Sequence, residues 1–469
     1  MNTRSASSRR RLRASGFRFA GSLLIAAFAC CVALQAAEPN FADLERTVLA
    51  ELKDKRIPGC AIAVVSGERV VFAKGFGVAN VETGESVHTN MLFRLGSTTK
   101  MFTCAAVVML ADEGKFKLDA PVGNLVKGLN TKVAALTPVQ LMAHTAGLRD
   151  ESPMRGLHDD SALGAGIRAW RDDIFFAEPG RIYSYANPGY WLAGLLAETV
   201  DGKPYADVLD SRLFQPLGMK HTTLRPVVAM TFPLAVGHEP ADDSPVVSRP
   251  LADNAATWPA GQMFSTVGDL ARWCIALMHD GKLDSKQVLA PSLIAAMTTP
   301  RADIPGGEAK YGLGLNLSTV RGVKVWQHGG SRAGYGSYIR IAPEKKFAVI
   351  ALMNLSAATM PRTIEKAMET VVPVEARAAA KPKEELPLVE AEIAKLIGRY
   401  RNGASIELLS SREGQLWLRR TNGESRVVKI GENRFETRPG GTELIVVNGA
   451  DGRAEFLFRG GRALRLLRP

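Results

Sequence analysis

The chain has 469 residues, of which 46% are hydrophobic and 23% are charged, and these proportions are ordinary for a globular protein. This length allows about three domains of ordinary size, or one large domain and a small one. The formal net charge is +12, but residues 1–37 carry six arginines and no acid, and removing them leaves +6. That excess is too small to predict a nucleic-acid partner.

The first 37 residues have the layout of a secretory signal peptide. Arginines come first, an apolar segment occupies residues 21–34, and the small residues 36–37 follow. The apolar segment is shorter than the ~20 residues that a membrane-spanning helix needs. We therefore expect an exported chain, periplasmic or extracellular, with no membrane span after processing. The arginine run at 8–12 is a weak sign of a twin-arginine signal, and Cys30 is a weak sign of lipoprotein processing.

Ordinary secondary structure is predicted for the next segment of the chain. Residues 40–55 have apolar side chains at helical spacing and predict an amphipathic helix. Residues 60–65 and 69–77 predict two strands of a β-hairpin, because a short polar turn separates them. Three cysteines after the signal segment have apolar neighbours and predict buried free thiols instead of a disulfide framework: Cys60, Cys104 and Cys274.

A serine and a lysine stand at the start of the most hydrophobic helix that the sequence predicts. Residues 101–111 are almost all apolar or small, which is typical of a helix buried on every side. Ser97 and Lys100, three positions apart, share one face near the N-terminal end of this helix. A desolvated lysine loses its proton easily and can then accept the proton of the serine. The pattern therefore predicts a nucleophilic serine, with a helix cap and a surface lysine as the alternative.

His144 follows a short predicted helix that begins at Thr137-Pro138. Threonine is a favourable N-cap residue, and proline suits the first turn. A histidine can be catalytic, but no acid or nucleophile is placed close to His144 in sequence. We therefore predict a structural histidine at a helix end.

Tyr185 and Asn187 lie in a segment between two turns, before an apolar helix at 191–200. If the segment is extended, side chains two positions apart point the same way. A tyrosine beside a lysine can transfer a proton, and an asparagine can bind both a lysine and a substrate carbonyl. Alone this pattern is weak, because residues 400–402 match it as well.

A glycine-rich segment follows a short predicted strand at 323–326. Gly329 and Gly330 have no side chains, so a substrate backbone can lie against the edge of this strand. His328 precedes them, and an unperturbed histidine has a pKa of ~6.5. We expect His328 to hold a substrate carboxylate, with binding improving as the pH falls toward ~6, or to assist proton transfer.

Together these segments resemble the serine β-lactamase and penicillin-binding-protein superfamily. The resemblance is greatest to its class C-like branch of esterases, D-aminopeptidases and peptidases. It extends from about residue 41 to residue 372 and depends on the order and spacing of these motifs: Ser97-x-x-Lys100, His144-Thr-Ala-Gly147, Pro179-Gly180, Tyr185-x-Asn187, Gly189-Tyr190, Ser265-Thr266, Tyr311-Gly312-Leu313-Gly314 and His328-x-Gly330.

The resemblance implies an α+β fold, in which an antiparallel sheet is flanked by helices and an all-helical region lies beside it. The active site would lie between the sheet and that region. The resemblance also implies that Ser97 is the nucleophile and Lys100 its partner base. Tyr185 would be the proton shuttle, and Asn187 would orient Lys100 and the substrate amide.

The remaining implied roles fall on the glycine-rich segment. The backbone N–H groups of Ser97 and Ser331 would form the oxyanion hole, whose donors are each worth ~3 kcal/mol. His328, Gly329 and Gly330 would contact the substrate. No metal and no cofactor is implied.

Three positions depart from the family pattern. β-Lactamases have a lysine where His328 stands, so we expect antibiotic hydrolysis to be weak or absent. Gln262 stands in place of a glycine and Ala186 in place of a frequent serine, and we expect both to alter packing only.

The sequence therefore predicts an exported serine hydrolase that forms an acyl-enzyme on Ser97. Its partner would be a small-molecule or peptide substrate: a short-chain ester, a D-amino-acid peptide or a cell-wall-type peptide. A β-lactamase or a penicillin-binding DD-peptidase is the alternative. A non-catalytic binding protein that keeps the fold is a further one. The sequence predicts no particular oligomeric state.

A charged linker rich in proline and alanine, residues 373–394, precedes a different pattern. Short apolar runs then recur between glycine-rich turns, which is typical of an up-and-down β-barrel, and about eight strands are enough to close one. This part resembles the lipocalin-like C-terminal domains of some of these hydrolases. We thus predict a signal peptide at 1–37, a hydrolase domain at 38–372, the linker, and a removable barrel domain at 395–469. The predicted strands are 398–400, 405–410, 415–420, 426–430, 434–438, 442–447, 454–459 and 462–467.

Overall fold

The computed structural model describes residues 39–377 and 383–468, so the predicted signal peptide and part of the predicted linker lie outside the described residues. Before residue 378 the strands are β1 Gly59–Ser66, β2 Arg69–Gly77, β3 Phe93–Arg94, β4 His238–Glu239, β5 Val246–Val247, β6 Phe264–Ser265, β7 Lys282–Leu283, β8 Lys286–Gln287, β9 Ala302–Asp303, β10 Lys310–Tyr311, β11 Asn316–Val320, β12 Val323–Arg332, β13 Tyr335–Ala342 and β14 Phe347–Met353. The α-helices there are α1 Ala42–Asp54, α2 Thr99–Asp112, α3 Thr131–Ala134, α4 Pro138–Met142, α5 Ala162–Arg168, α6 Asn187–Asp201, α7 Tyr205–Leu209, α8 Gln215–Leu217, α9 Pro226–Ala229, α10 Trp258–Gly261, α11 Val267–Met278, α12 Pro291–Thr298 and α13 Pro361–Val371.

An eight-stranded antiparallel sheet forms the frame of this part, with the strand order β2-β1-β14-β13-β12-β11-β10-β9. The predicted hairpin of β1 and β2 is present. On its other side β1 pairs with β14, the last strand of this sheet in chain order. The long connection between β2 and β9 is free to form the helical region.

Helices cover both faces of the sheet because its central strands are apolar on both sides. In β1, Ala61 and Ala63 pack into the core that contains α2 and α11. The alternate residues Cys60 and Ile62 pack into a second core beneath α1 and α13. Successive strand residues point to opposite faces, so one strand serves both cores. This arrangement confirms the predicted α+β fold class.

α2 lies inside the helical region, packed against α6, α10 and α12. Its residues from Thr99 to Val108 are all buried, as the apolar run at its start predicted. A helix without a solvent face places its N-terminal turn in a fixed, desolvated position. Lys100 lies in that turn.

After α14 (Glu390–Leu396), the chain forms a closed eight-stranded barrel. Arg399 pairs with Leu467, which joins the first barrel strand to the last and closes the barrel. Each predicted strand is present, with small shifts at the ends. The strands are β15 Gly398–Asn402, β16 Ser405–Arg412, β17 Gln415–Arg420, β18 Gly423–Gly431, β19 Arg434–Arg438, β20 Glu443–Asn448, β21 Ala454–Arg459 and β22 Arg462–Leu467.

The barrel packs against the part of the chain before it, residues 39–377, through an apolar cluster. Phe456 and Phe458 of β21 face Phe176, Tyr183 and Tyr311. The ring centroids of Phe176 and Phe456 are 6.2 Å apart, and those of Tyr183 and Phe458 are also 6.2 Å apart. Aromatic side chains from both parts are buried in this cluster, so the barrel contributes to the stability of its neighbour.

The three cysteines of the described residues are free and buried, as their apolar neighbours predicted: Cys60, Cys104 and Cys274. Across residues 39–377 and 383–468, no helix has both the length and the apolar character that are needed to cross a membrane.

Candidate active site

Ser97 lies in a tight 3-10 turn, Gly96–Thr98, directly before α2. Gly96 has a φ angle of 56°, and a Cβ atom there would lie 2.5 Å from the backbone nitrogen of Ser331. Only glycine fits both this left-handed conformation and this close approach of β12. Ser97 itself is half-buried, so it is partly accessible to solvent.

Lys100 is fully buried in the first turn of α2, beside Ser97. Its Nζ atom lies 2.8 Å from Asn187 Oδ1, 2.7 Å from the carbonyl oxygen of Ala260 and 3.1 Å from Ser97 Oγ. A neutral amine has two N–H groups and one lone pair. Nζ can donate to all three oxygens. If the amine is neutral, the two acceptors that cannot donate take its N–H groups, and its lone pair faces the Ser97 hydroxyl.

Burial lowers the pKa of Lys100 well below its ordinary value of 10.5. Asp150 opposes this shift, whereas Arg462 and Arg332 add to it. The cause is the loss of hydration, which destabilises the charged ammonium form. The lowered pKa favours the neutral amine, and the 3.1 Å distance places that amine within reach of the Ser97 proton.

The half-buried side chain of Tyr185 lies beside Lys100. Its ring centroid lies 4.8 Å from Lys100 Nζ. Burial raises the pKa of Tyr185 above its ordinary value of 10, although the nearby Ser97 side chain opposes the shift. Tyr185 is thus a neutral phenol at neutral pH, and it can accept one proton while it donates another.

Asn187 is the first residue of α6, and Pro188 follows it in the first turn. The condition that Tyr185 and Asn187 share one extended segment is not met, since Asn187 begins α6 directly after the extended residue Ala186 (φ −143°, ψ 126°). Proline favours helix initiation at this point. Both side chains nevertheless meet at Lys100, because the chain bends into α6 there.

His144 supports the backbone beside Tyr185. Its Nδ1 accepts a hydrogen bond from the Ala186 N–H at 3.1 Å, and its carbonyl oxygen accepts one from the Ser184 N–H at 2.9 Å. Its ring lies 4.2 Å from the ring of Tyr185. Burial lowers the pKa of His144 well below its ordinary value, so the imidazole is neutral. The predicted structural role fits these contacts, although the residue lies in the wall of the site.

His328 is buried, and both of its ring nitrogens have partners within the protein. Nε2 lies 3.0 Å from the Tyr311 hydroxyl, and Nδ1 lies 2.6 Å from the Gly329 carbonyl oxygen. Because a carbonyl only accepts, Nδ1 carries the proton and Nε2 accepts from Tyr311. Burial lowers the pKa of His328 to about 3, with the charge of Lys100 as a smaller cause. The prediction of an ordinary pKa is therefore wrong, since the sequence did not reveal that the ring is desolvated.

Residues 329–331 lie on β12 beyond Gln327, the last residue of β12 that pairs with β11. They pair with β13 on one side, so this part of β12 is an edge. A Cβ atom at Gly330 would lie 3.0 Å from the backbone nitrogen of Ser97. The edge thus packs directly on the Ser97 turn and brings the backbone nitrogens of Ser97 and Ser331 into one region. Ser331 is exposed there, as is Gly329.

Two charged residues of the site are absent from the sequence prediction. Asp150 Oδ1 accepts hydrogen bonds from the Asn187 backbone N–H at 2.9 Å and from Asn187 Nδ2 at 3.0 Å. Asp150 Oδ2 accepts one from Arg462 Nε at 2.6 Å. The position of Asp150 just after the His144–Gly147 motif is a faint local signal. Arg462 has none, because it belongs to the barrel.

The chain is similar to curated proteins over about two thirds of its length. Unguisins hydrolase ungD of Aspergillus violaceofuscus is 31% identical over 349 residues, which cover 67% of this chain and 61% of that protein. Penicillin-binding protein 4 of Amycolatopsis lactamdurans is 28% identical over 327 residues, which cover 65% and 83%. The match to the Aspergillus protein thus spans less than two thirds of its length.

Two solved structures match almost the whole chain. SurE has a TM-score of 0.74 at 25% identity, and the match covers 91% of this chain and 98% of SurE. The octameric penicillin-binding protein homologue from Pyrococcus abyssi has a TM-score of 0.65 at 24% identity, covering 92% and 99%. The second likeness concerns the fold alone.

The Beta-lactamase family model matches residues 41–369, which is more than half of the chain. That range contains the segments that meet around Lys100: the Ser97 turn, α2, the start of α6 and the glycine-rich edge of β12. Relatives with hydrolase and penicillin-binding names match about two thirds of the chain. The chain therefore belongs to the beta-lactamase family, within the superfamily of serine β-lactamases and penicillin-binding proteins.

Proposed function

We propose that this chain is an exported serine hydrolase that cleaves an ester or amide bond through an acyl-enzyme on Ser97. The observation that carries the proposal is the position of the buried Lys100 amine, whose Nζ lies 3.1 Å from Ser97 Oγ, 2.8 Å from Asn187 Oδ1 and 2.7 Å from the Ala260 carbonyl oxygen. An unprotonated amine in that position can activate a serine that is otherwise a weak nucleophile.

In the proposed acylation step, Lys100 accepts the Ser97 proton as Oγ attacks the substrate carbonyl. The backbone N–H groups of Ser97 and Ser331 then stabilise the tetrahedral oxyanion. The proton reaches the leaving group through Tyr185, whose ring centroid lies 4.8 Å from Lys100 Nζ. Water attacks the acyl-enzyme in the second half-reaction, and the same groups return the proton to Ser97.

The proposed roles of the remaining residues are to hold this arrangement and the substrate. Asn187 orients Lys100 through its Oδ1 atom and offers its amide to the substrate. The edge of β12, with Gly329 and Gly330, lies alongside the bound backbone. His328 supports this edge as a neutral side chain, since its N–H donates to Gly329 and its pKa is about 3.

The substrate class that we favour is a peptide or ester with an uncharged group near the scissile bond. A related protein is named a hydrolase of unguisins, and SurE has been solved with D-Leu, which supports the D-amino-acid peptide among the predicted substrates. The absence of a fixed cation at His328 supports neutral substrates over carboxylate-bearing ones.

A β-lactamase or a penicillin-binding DD-peptidase is the second candidate. The similarity to penicillin-binding protein 4, over 83% of that protein, favours it. A neutral His328 argues against efficient turnover of carboxylate-bearing antibiotics, so we expect penicillin to acylate Ser97 slowly and to leave slowly. A non-catalytic binding role is less favoured, because Ser97, Lys100 and Tyr185 are all present, with Lys100 Nζ 3.1 Å from Ser97 Oγ and 4.8 Å from the centroid of the Tyr185 ring.

Covalent labelling tests the proposal directly. A fluorescent phosphonate should label the wild-type chain once, with the label on Ser97 in the peptide map. Ser97→Ala should lose both label and turnover, whereas Ser411→Ala, an exposed serine of the barrel, should keep both. Circular dichroism should show the same fold in all three proteins. Labelling at another serine, or turnover by Ser97→Ala, would contradict the mechanism.

A substrate panel then separates the two candidates. The purified chain is assayed with p-nitrophenyl esters, D-aminoacyl anilides and nitrocefin, and intact mass spectra report any stable penicillin adduct. Turnover of the first two with little nitrocefin hydrolysis supports the hydrolase. Efficient nitrocefin hydrolysis supports the β-lactamase instead. Export is tested separately, by fusing residues 1–37 to a reporter that is active only after translocation.

A further inference from the structure

The turn between β21 and β22 of the barrel touches the segment that carries Tyr185. The Tyr185 backbone N–H donates to the Gly461 carbonyl oxygen at 2.9 Å, and the Ala463 N–H donates to Ser184 Oγ at 3.1 Å. Asn402, in another barrel strand, donates from Nδ2 to the Ala463 carbonyl oxygen at 2.7 Å. Backbone and side-chain hydrogen bonds thus fix this turn and the start of β22 against residues 184–185.

Arg462 is the first residue of β22, directly after this turn, and begins a chain of hydrogen bonds that ends at Lys100. Its Nε donates to Asp150 Oδ2 at 2.6 Å. Asp150 Oδ1 accepts from Asn187 Nδ2 at 3.0 Å, and Asn187 Oδ1 accepts from Lys100 Nζ at 2.8 Å. The guanidinium carbon of Arg462 also lies 5.0 Å from the ring centroid of Tyr185. One barrel side chain therefore contacts the Tyr185 ring directly and Lys100 through two residues.

We propose that Arg462 is a positioning residue of the active site, which anchors Asp150 and balances its charge so that Asn187 holds an unprotonated Lys100. This inference rests on the proposed function, because it assigns Lys100 the role of base. It extends that function by making the barrel part of the catalytic unit. Arg462 acts through other residues and is not itself placed on the reacting atoms.

The geometry of Asn187 explains why an anchor is needed. An asparagine amide can be turned by 180°, which exchanges its oxygen and nitrogen. Asp150 Oδ1 accepts from Asn187 Nδ2 and thereby keeps Oδ1 directed at Lys100. Asp150 is in turn held by Arg462 at its other oxygen and by Asn402, whose Oδ1 accepts the Asp150 N–H at 3.1 Å. Without Arg462, one of these two barrel anchors is lost.

The charges around Lys100 explain why a cation is suited to the task. Burial is the main cause of its lowered pKa, the Asp150 carboxylate opposes it, and Arg462 and Arg332 reinforce it. The remaining titratable neighbours are the neutral side chains of Cys104, Tyr185, Tyr190, His144 and His328.

Loss of the Arg462 charge leaves the Asp150 carboxylate uncompensated, which favours the ammonium form of Lys100. Arg332 remains as a cation, but it is engaged elsewhere, with Ser152 and Thr257. The side chain of Arg462 is 42% exposed, whereas that of Asp150 is 14% exposed. Solvent therefore screens the arginine more than the aspartate, and we expect a moderate effect.

The test is the pH profile of kcat/KM for a neutral p-nitrophenyl ester between pH 5.5 and 9, with the full chain. Arg462→Gln should move the acidic limb to higher pH, with a loss of about threefold to tenfold at pH 6 and little loss at pH 9, since the amine fraction changes up to tenfold per pH unit. Arg462→Lys should restore part of the profile. Arg465→Gln, an exposed arginine of the same strand, should match the wild type.

A double variant separates charge from packing. In Asp150→Asn/Arg462→Gln, the anion that favours a protonated Lys100 is gone, so the acidic limb should return to or below its wild-type position. A purely structural role of Arg462 would lower kcat/KM equally at every pH and would leave the double variant no better than the single one. Either of those results overturns the proposal.

Two further outcomes also count against it. If Arg462→Gln raises KM for carboxylate-bearing esters only and leaves the profile of the neutral ester unchanged, Arg462 binds substrate and does not position Lys100. If the wild type has turnover and labels on Ser97 but the Arg462→Gln profile is unmoved, this inference fails while the proposed function stands. Failure of the proposed function has a different signature, namely a wild-type chain that neither labels on Ser97 nor turns over.

Discussion

The two sides of the candidate active site differ in burial and in charge. The side formed by the Ser97 turn, α2 and the start of α6 presents Lys100 to uncharged acceptors in the protein interior. The side formed by the barrel presents a half-exposed arginine, paired with Asp150. One side excludes water from an amine, while the other places a full charge where water can partly reach it.

This difference separates what enables the proposed chemistry from what adjusts it. Desolvation can move a buried lysine pKa by several units, whereas an exposed ion pair is typically worth ~0–1 kcal/mol. We therefore expect changes on the buried side to remove activity at every pH. Changes on the barrel side should shift its pH dependence and its stability.

The largest expected effect comes from the buried side. Lys100→Met keeps the length and apolar stem of the side chain but removes the amine, and Tyr185→Phe removes only the hydroxyl. Each should lower kcat by at least ~100-fold, the scale of lost general acid–base catalysis. The measurement is ester turnover together with the rate of phosphonate labelling. Lys117→Met, at an exposed position, is the matched control and should retain wild-type rates.

Wild-type turnover by Lys100→Met would contradict the claim that the buried side enables the chemistry. In that case the buried amine is a structural feature, and the base must be sought elsewhere. Equal losses in Lys100→Met and Lys117→Met would point to a general defect in folding instead.

A smaller effect on rate, but a large one on stability, is expected where the barrel packs on its neighbour. Phe456 is fully buried against Phe176. Phe456→Ala should lower the free energy of unfolding by about 3–5 kcal/mol, the range for a large-to-small change in a core. Urea unfolding measures this, and Leu467→Ala, at an exposed barrel position, should change the midpoint little.

Removal of residues 383–468 is the harsher form of the same experiment. The sequence predicts a removable tail, but these contacts lead us to expect a poorly soluble fragment with slow labelling of Ser97. The reason is that Tyr183 and Tyr311 lose their apolar cover while Asp150 loses Arg462. A soluble fragment that labels at the wild-type rate would show that the two sides of the site are independent.

The smallest expected effect concerns pH and His328. Because burial lowers the pKa of His328 to about 3, the ring stays neutral from pH 6 to 8. We compare a substrate that bears a carboxylate with a matched substrate in which that carboxylate is a neutral amide. The ratio of their kcat/KM values should therefore be flat across that range. His328→Lys should raise the ratio at every pH if the cation reaches the substrate. A wild-type ratio that rises toward pH 6 would show that the ring is protonated there and that the site is wetter than its contacts indicate.

Much of the fold could be predicted because the strands and α2 follow simple patterns. In the barrel, glycine-rich turns separate short apolar runs, and each predicted strand is present near its predicted position. The apolar run after Lys100 predicted a buried helix, and the structure confirms it. Predictions that depended on local geometry fared less well. Asn187 begins a helix instead of ending an extended segment, because proline at the next position favours helix initiation.

The sequence by itself determined which residue types are available at the site and in which order: Ser97 with Lys100, then Tyr185 with Asn187, then the glycine-rich edge. It did so because local periodicity and turn chemistry act over a few residues. Only the tertiary structure decided the protonation of His328 and the partnership of Asp150 with Arg462. Burial and ion pairing depend on which distant segments meet, and no local pattern in the chain records that Arg462, at the start of β22, is linked to the amine of Lys100 through Asp150 and Asn187.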